Sequence, residues 1–201
     1  MNSRDNDKSS VLLQTISVEE PSLPVVKELI EAGANPMLTN NRGEVVLVEA
    51  AKKDKINLPL VRLLLKHSQV DAAKEVEIEG IKFKETAFSV AVKTGKEELV
   101  RVFLEAGAIS SEAVLDDDWK PGERILLPLG IAVKMKSTPI INLLLEWGAR
   151  ECEVKESASQ QGNRKELGDC VDLAVAGRDP DIIRTLSDFI ANISKTIKVE
   201  L

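Results

Sequence analysis

The chain has 201 residues, a formal net charge of −6 and only 3% aromatic residues. It lacks the clear basic excess of a nucleic-acid-binding protein, and no apolar run approaches the roughly 20 residues that a membrane span requires. Residues 1–9 are polar and contain no apolar signal-peptide core. We therefore expect an intracellular protein, cytoplasmic or nuclear, that binds neither nucleic acid nor a membrane.

An apolar quartet recurs five times along the chain, with apolar residues at positions i, i+1, i+4 and i+5. These positions lie on one face of an α-helix. The copies begin at Val25, Leu60, Leu99, Ile140 and Ile182, and the last copy ends in Ser187. Three copies end at Gly33, Gly107 and Gly148, where glycine predicts a left-handed helix C-cap. Ser68 takes the glycine position in the second copy, so we expect a looser helix end there.

A shorter helix is predicted before each quartet helix. The small residues Ala50, Ala91, Ala132 and Ala174 within these shorter helices allow neighbouring helices to approach closely. Asn57, Thr138 and Asp179 each precede a proline in the first turn of a quartet helix, which predicts that they are N-caps. Each unit is thus a helix, a tight turn and a second helix, and five such units predict a repeat array.

The residues of these helices resemble a known family. The segments 26–35 and 100–108 are similar to the outer helix of ankyrin repeats, and segments 43–47 and 85–88 resemble degenerate starts of its inner helix. The resemblance implies an all-α ankyrin-like solenoid of stacked helix-turn-helix repeats that can carry short β-hairpin fingers. We predict a disordered tail at 1–9, units at about 10–42, 43–84, 85–125, 126–168 and 169–190, and a C-terminal cap or tail at 191–201.

The repeat period lengthens from 35 to 42 residues along the chain, whereas ankyrin units are typically near 33 residues. The additional residues lie between one unit and the next. They predict elongated fingers at about 70–87, 109–127 and 150–170. Residues 75–84 alternate apolar and charged side chains around Gly80, which predicts a β-hairpin in the first finger.

Three lysines form the first candidate contact surface. Lys52, Lys93 and Lys134 each lie two residues after a small alanine, at intervals of 41 residues. The resemblance places this position at the end of the inner helix, facing the concave groove. A row of ammonium groups would attract an acidic segment of a partner. The alternative is that each lysine only complements the negative end of a helix.

Side chains on the fingers form the second candidate surface. Trp119 lies among polar residues of the second finger, and an exposed tryptophan is a frequent interface anchor. Lys82 and Lys84 lie on the first finger. Residues 116–118 are consecutive aspartates, which predict a solvated surface because calcium loops space their ligands alternately. Trp147, at the end of a quartet helix, is expected to pack against the next finger.

No motif predicts a catalytic, cofactor-binding or metal site. His67 is the only histidine, and its place at a helix end suits the helix dipole. Cys152 and Cys170 match no metal-ligand spacing, and we expect two free thiols. We therefore expect no enzyme activity and no cofactor.

The predicted function is that of a protein–protein interaction scaffold or adaptor, monomeric by itself, that binds a protein partner through its concave groove and finger loops. Two alternatives stay open. The chain could be a regulatory or inhibitory subunit of an enzyme complex, or a host-directed effector with ankyrin repeats. The residues do not separate these three functions.

Overall fold

The computed structural model describes residues 10–78, 81–108, 126–150, 152 and 168–199, with side chains at all of these except 76–78, 81–84, 168 and 193–199. Within these ranges the chain forms ten helices and one two-stranded sheet. It divides into two compact units, Met1–Ile109 and Ser110–Leu201. Among the described helices, none combines the length and the apolar character needed to cross a membrane.

The first unit consists of three helix pairs. They are α1 (Val11–Ser17) with α2 (Leu23–Glu31), α3 (Val46–Lys52) with α4 (Leu58–Leu65), and α5 (Ala87–Lys93) with α6 (Glu97–Glu105). Helix α3 packs against both α1 and α5, and α4 contacts both α2 and α6. We call the first helix of each pair inner and the second outer. This layering confirms the predicted helical repeat fold.

The second unit repeats the same arrangement with two pairs. They are α7 (Pro128–Lys134) with α8 (Thr138–Glu146), and α9 (Gly168–Ala176) with α10 (Pro180–Val199). The inner helices α7 and α9 contact each other, as do the outer helices α8 and α10. Helix α10 runs without interruption through residues 191–199, a segment for which the sequence predicts a cap or tail.

The first predicted finger contains a β-hairpin, as its alternating pattern indicates. Strand β1 (Ala73–Ile78) pairs antiparallel with β2 (Ile81–Thr86), in a register that runs from Ala73 opposite Thr86 to Ile78 opposite Ile81. Thr86 then begins α5 through a reciprocal capping box with Ser89, at 3.0 Å in both directions. The other two predicted fingers fall largely on residues 109–125, 151 and 153–167, outside the described part of the chain.

The predicted glycine caps of the outer helices are confirmed. Gly33, Gly107 and Gly148 have φ of 88°, 89° and 95°, in the left-handed region where glycine has no Cβ penalty. At the end of α4 the hydrogen bonds are of the tighter three-residue type, from His67 N to Leu64 O at 2.9 Å and from Lys66 N to Leu63 O at 3.2 Å. The Ser68 hydroxyl there is buried and has no hydrogen-bond partner among the described residues.

Inner helices α5, α7 and α9 end in identical three-residue turns. The middle residues Gly95, Lys136 and Arg178 have φ of 71°, 56° and 52°. In each turn the next residue donates its N–H to the small alanine of the inner helix, from Lys96, Ser137 and Asp179 at 3.0, 3.0 and 3.3 Å. This shared cap explains why the first quartet residue follows the alanine by eight positions in all three pairs, from Ala91 to Leu99, Ala132 to Ile140 and Ala174 to Ile182.

Two of the three predicted N-caps are confirmed. The side chain of Asn57 accepts from Leu60 N at 3.1 Å, and that of Asp179 accepts from Ile182 N at 3.2 Å. The prediction for Thr138 is wrong, because α8 already begins at Thr138 and the N-cap is Ser137. The turns after α7 and α9 are the same, so Ser137 occupies the position of Asp179, and the proline of α8 falls at the second helical residue, whereas that of α10 falls at the first.

The expectation of two free thiols is also wrong. Cys152 and Cys170 form a disulfide with a Cα–Cα distance of 5.3 Å. The fold places the segment that follows α8 beside the beginning of α9, so cysteines 18 residues apart in sequence meet. Both residues are buried, with 1% and 0% of their surface exposed.

Candidate interaction surface

The inner helices reach solvent at their terminal lysines. Helix α5 is buried from Ala87 to Val92, and α7 is buried from Pro128 to Val133. In α3 every residue before Lys52 is buried except the half-buried Glu49. Packing therefore constrains the helix bodies, whereas the terminal positions Lys52, Lys93 and Lys134 are open to solvent to differing degrees. In each unit, we call the surface formed by its inner-helix ends and the turns after them the inner edge of that unit.

Lys52 is held by two carboxylates. Its Nζ lies 2.9 Å from Glu85 Oε2 at the base of the hairpin and 3.4 Å from Glu49 Oε1 on its own helix. Burial alone would lower the pKa of Lys52, but the hydrogen bond and charge of Glu85, helped by Glu49, outweigh it and raise the pKa above its usual value. The first predicted contact lysine is thus fixed in place and partly neutralised.

Two further lysines of the first unit's inner edge, Lys53 and Lys96, cap the C-terminal ends of the preceding inner helices. Helices α1 and α3 leave the helical conformation through an extended residue and lack the left-handed turn found after α5, α7 and α9. Lys53 Nζ donates to Ser17 O, the last residue of α1, at 2.7 Å. Lys96 Nζ donates to Ala51 O at 2.8 Å and to Lys53 O at 2.7 Å. Each lysine therefore complements the negative end of a helix in the preceding repeat.

Burial lowers the pKa of the Lys96 ammonium, and the nearby Asp54 only partly offsets this effect. Lys55 forms an ion pair with Glu20, and in the second unit Lys136 Nζ lies 3.7 Å from Asp179 Oδ2. Each inner edge is thus a mixed surface in which carboxylates accompany the lysines, which reduces its positive potential below that of a bare lysine row.

The predicted contact residues are distributed over both units. Lys52 and Lys93 lie in the first unit, where Lys93 is half-buried, and Lys134 lies exposed in the second. Lys82 and Lys84 lie on β2, opposite Glu77 and Glu75 in the strand register. Trp119 falls outside the described residues.

Sequence reasoning missed several exposed apolar side chains in the second unit. Met135, directly after α7, is 51% exposed, and Val175 on α9 is 55% exposed. Trp147 is 49% exposed, although packing on the next finger was expected, and it follows α8 beside Gly148. The apolar pattern could not identify Met135 or Val175, because both adjoin residues that it assigns to the core.

Within the described residues, no group of three or more His, Cys, Asp or Glu side chains is placed to hold a metal ion.

The family model for ankyrin repeats matches residues 15–113 in three copies, which cover α2 to α6 and the hairpin. No curated protein matches this chain. Ankyrin repeats are in general non-catalytic modules that bind other proteins. The sequence resemblance is therefore confirmed over residues 15–113, and this part of the chain consists of ankyrin repeats.

Proposed function

We propose that this protein is an adaptor that holds a partner protein against the inner edges of its units. The observation that carries the proposal is the burial pattern of α3, α5 and α7. Their bodies are almost completely buried, while each one ends in a lysine that is exposed in α3 and α7 and half-buried in α5. The terminal positions Lys52, Lys93 and Lys134 lie outside the buried helix bodies, so binding residues can occur there without loss of the apolar contacts that stack the repeats.

The partner chemistry that suits these edges is an acidic segment. Exposed lysines steer a negatively charged segment to the surface and raise its association rate. The Lys52 ammonium already forms ion pairs with Glu85 and Glu49. An arriving carboxylate must therefore displace Glu85 or share Lys52 with it, which favours partners that present several carboxylates close together.

The first experiment measures association rates with a fluorescent glutamate-rich peptide and with any partner recovered by affinity capture. Changing Lys52, Lys93 and Lys134 together to Gln should lower the association rate about tenfold at low salt, and high salt should remove the difference. The matched control changes Lys27, Lys66 and Arg101 to Gln, which removes the same charge from exposed positions on or beside the outer helices α2, α4 and α6. Equal effects of the two triple variants would refute binding at the inner edges.

A second variant separates specific contact from general charge. Glu85→Gln removes the competing carboxylate 2.9 Å from Lys52 Nζ and should tighten binding of the acidic peptide. Glu105→Gln, on the outer helix α6, removes the same charge and should have a smaller effect. Identical gains for both variants would show that only net charge matters.

The monomeric state and the intracellular location belong to the same proposal. Size-exclusion chromatography with light scattering tests the first, and fractionation of the native cells tests the second. A captured partner that is an enzyme and loses activity on binding would make this chain a regulatory subunit. In that case the inner edges would still be the contact surfaces.

A further inference from the structure

The disulfide fastens the last inner helix to the repeat before it. Cys152 belongs to the segment that follows α8, and its carbonyl oxygen accepts the N–H of Leu127, at the start of α7, at 2.8 Å. The same carbonyl lies so close to Gly130 of α7 that a Cβ there would be 2.1 Å away. Cys152 is therefore anchored on α7, and its bond to Cys170 ties α9 to that anchor.

Helix α9 has less apolar anchorage than the other inner helices. Of its described side chains only Cys170 and Ala174 are buried, whereas Val171 and Leu173 are half-buried and Val175 is exposed. In α7, by contrast, every residue from Pro128 to Val133 is buried. An alanine buries little apolar surface, so the covalent bond supplies a large share of what holds α9 in place.

We propose that the Cys152–Cys170 disulfide is a redox-controlled cross-link that holds the α9–α10 pair in place. When the bond is intact, α9 stays packed on α7 and α10 stays packed on α8. When it is reduced, the pair opens more often and exposes apolar residues that are now buried, among them Ile182 and Leu186 of α10. This inference is independent of the proposed binding at the inner edges.

The reduction requires a dithiol reductant. One reductant thiolate attacks a sulfur of the Cys152–Cys170 bond and forms a mixed disulfide, while the other protein sulfur leaves as a thiolate and takes up a proton. The second reductant thiol then closes the reductant's own disulfide and releases the remaining protein thiol. Two electrons and two protons pass to the protein. Because both cysteines are buried, the attack must wait for a local opening of α9.

The expected increase in the opening of α9–α10 on reduction follows from the length of the loop that the disulfide closes. The bond joins residues separated by 18 positions, and a cross-link over a loop of this length restricts the open chain by a factor on the order of a hundred. Disulfides are rare in reducing compartments. A cytosolic location would therefore keep α9–α10 in the loosened state until an oxidant closes the bond.

Hydrogen exchange with mass spectrometry on the full chain tests the proposal. Oxidised protein and protein reduced with dithiothreitol are compared, and thiol alkylation counts the free cysteines in each sample. Amides of α9 and α10 should exchange on the order of a hundredfold faster after reduction, while those of α1–α6 should not change. The double variant Cys152→Ser, Cys170→Ser should exchange as fast as the reduced protein and should not respond to dithiothreitol.

Three results would overturn the proposal. They are equal exchange of α9–α10 in the oxidised and reduced protein, a disulfide that dithiothreitol does not reduce in the folded chain, and two alkylatable thiols after oxidation. If the double variant does not fold, the comparison of oxidised and reduced wild-type protein still decides the question. A redox titration in dithiothreitol buffers should then show a single transition in which exchange and thiol content change together.

Discussion

Replacing Gly130 by alanine sets two known effects against each other. Gly130 lies inside α7, where alanine normally stabilises a helix by about 1 kcal/mol relative to glycine. Here, however, the new Cβ would lie 2.1 Å from the carbonyl oxygen of Cys152, 3.0 Å from its carbonyl carbon and 3.3 Å from its Cα. These are backbone atoms, so no change of rotamer relieves the contact.

The segment that would have to move is held at two points. Leu127 N donates to Cys152 O at 2.8 Å, and the disulfide fixes the same residue to α9. Forcing an extra carbon into a close-packed site typically costs about 1–3 kcal/mol and sometimes more. Because this contact is shorter than any normal packing distance, we expect the cost to exceed the helix gain. Gly130→Ala should lower the free energy of unfolding by about 1–3 kcal/mol.

Urea unfolding followed by far-ultraviolet circular dichroism measures this change. Gly177→Ala is the matched control, since its Cβ would meet only the carbonyl oxygens of Ala174 and Leu173, both at the ordinary distance of 3.5 Å. That variant should be neutral or slightly stabilising. In a chain with both cysteines changed to serine the segment can move, so Gly130→Ala should cost less there. A Gly130→Ala protein as stable as the wild type would refute the close packing of this segment on α7.

Four further changes have defined outcomes. Leu144→Ala removes a fully buried side chain of α8 and should cost about 2–5 kcal/mol, with hydrogen exchange rising first in the second unit. Lys96→Met removes two charge-assisted hydrogen bonds to the end of α3. Because these bonds are only partly buried, the free energy of unfolding measured by thermal unfolding should fall by only about 1–2 kcal/mol. Gly107→Ala places a side chain at φ 89° with no atom within 4 Å, so equilibrium unfolding should show only the backbone cost of about 1–2 kcal/mol. Because the pKa of Lys52 is raised by folding, its ion pairs stabilise the protein fully below its ordinary pKa and are lost as pH rises through the folded pKa. Lys52→Gln should therefore reduce the loss of stability in an alkaline titration, and an unchanged pH profile would count against the pairing with Glu85.

The sequence by itself determined the elements whose causes are local. The quartet spacing predicts the outer helices because side chains three and four residues apart share one face of a helix. Gly33, Gly107 and Gly148 mark helix ends because only glycine adopts the left-handed conformation without cost. The alternation around Gly80 predicts the hairpin for a similarly local reason. The family resemblance, which the ankyrin repeat match over residues 15–113 confirms, rests on these same local patterns.

The tertiary structure decided which side chains meet across repeats. Cys152 and Cys170 look unrelated in the sequence, and only the docking of α9 brings their Cα atoms to 5.3 Å. Lys53 and Lys96 could not be assigned as caps of α1 and α3, because each belongs to the following repeat. Lys52 was predicted as a contact residue, but its pairing with Glu85 depends on how the hairpin enters α5. Contacts of this kind depend on distances between elements, and the order of residues along one element does not contain those distances.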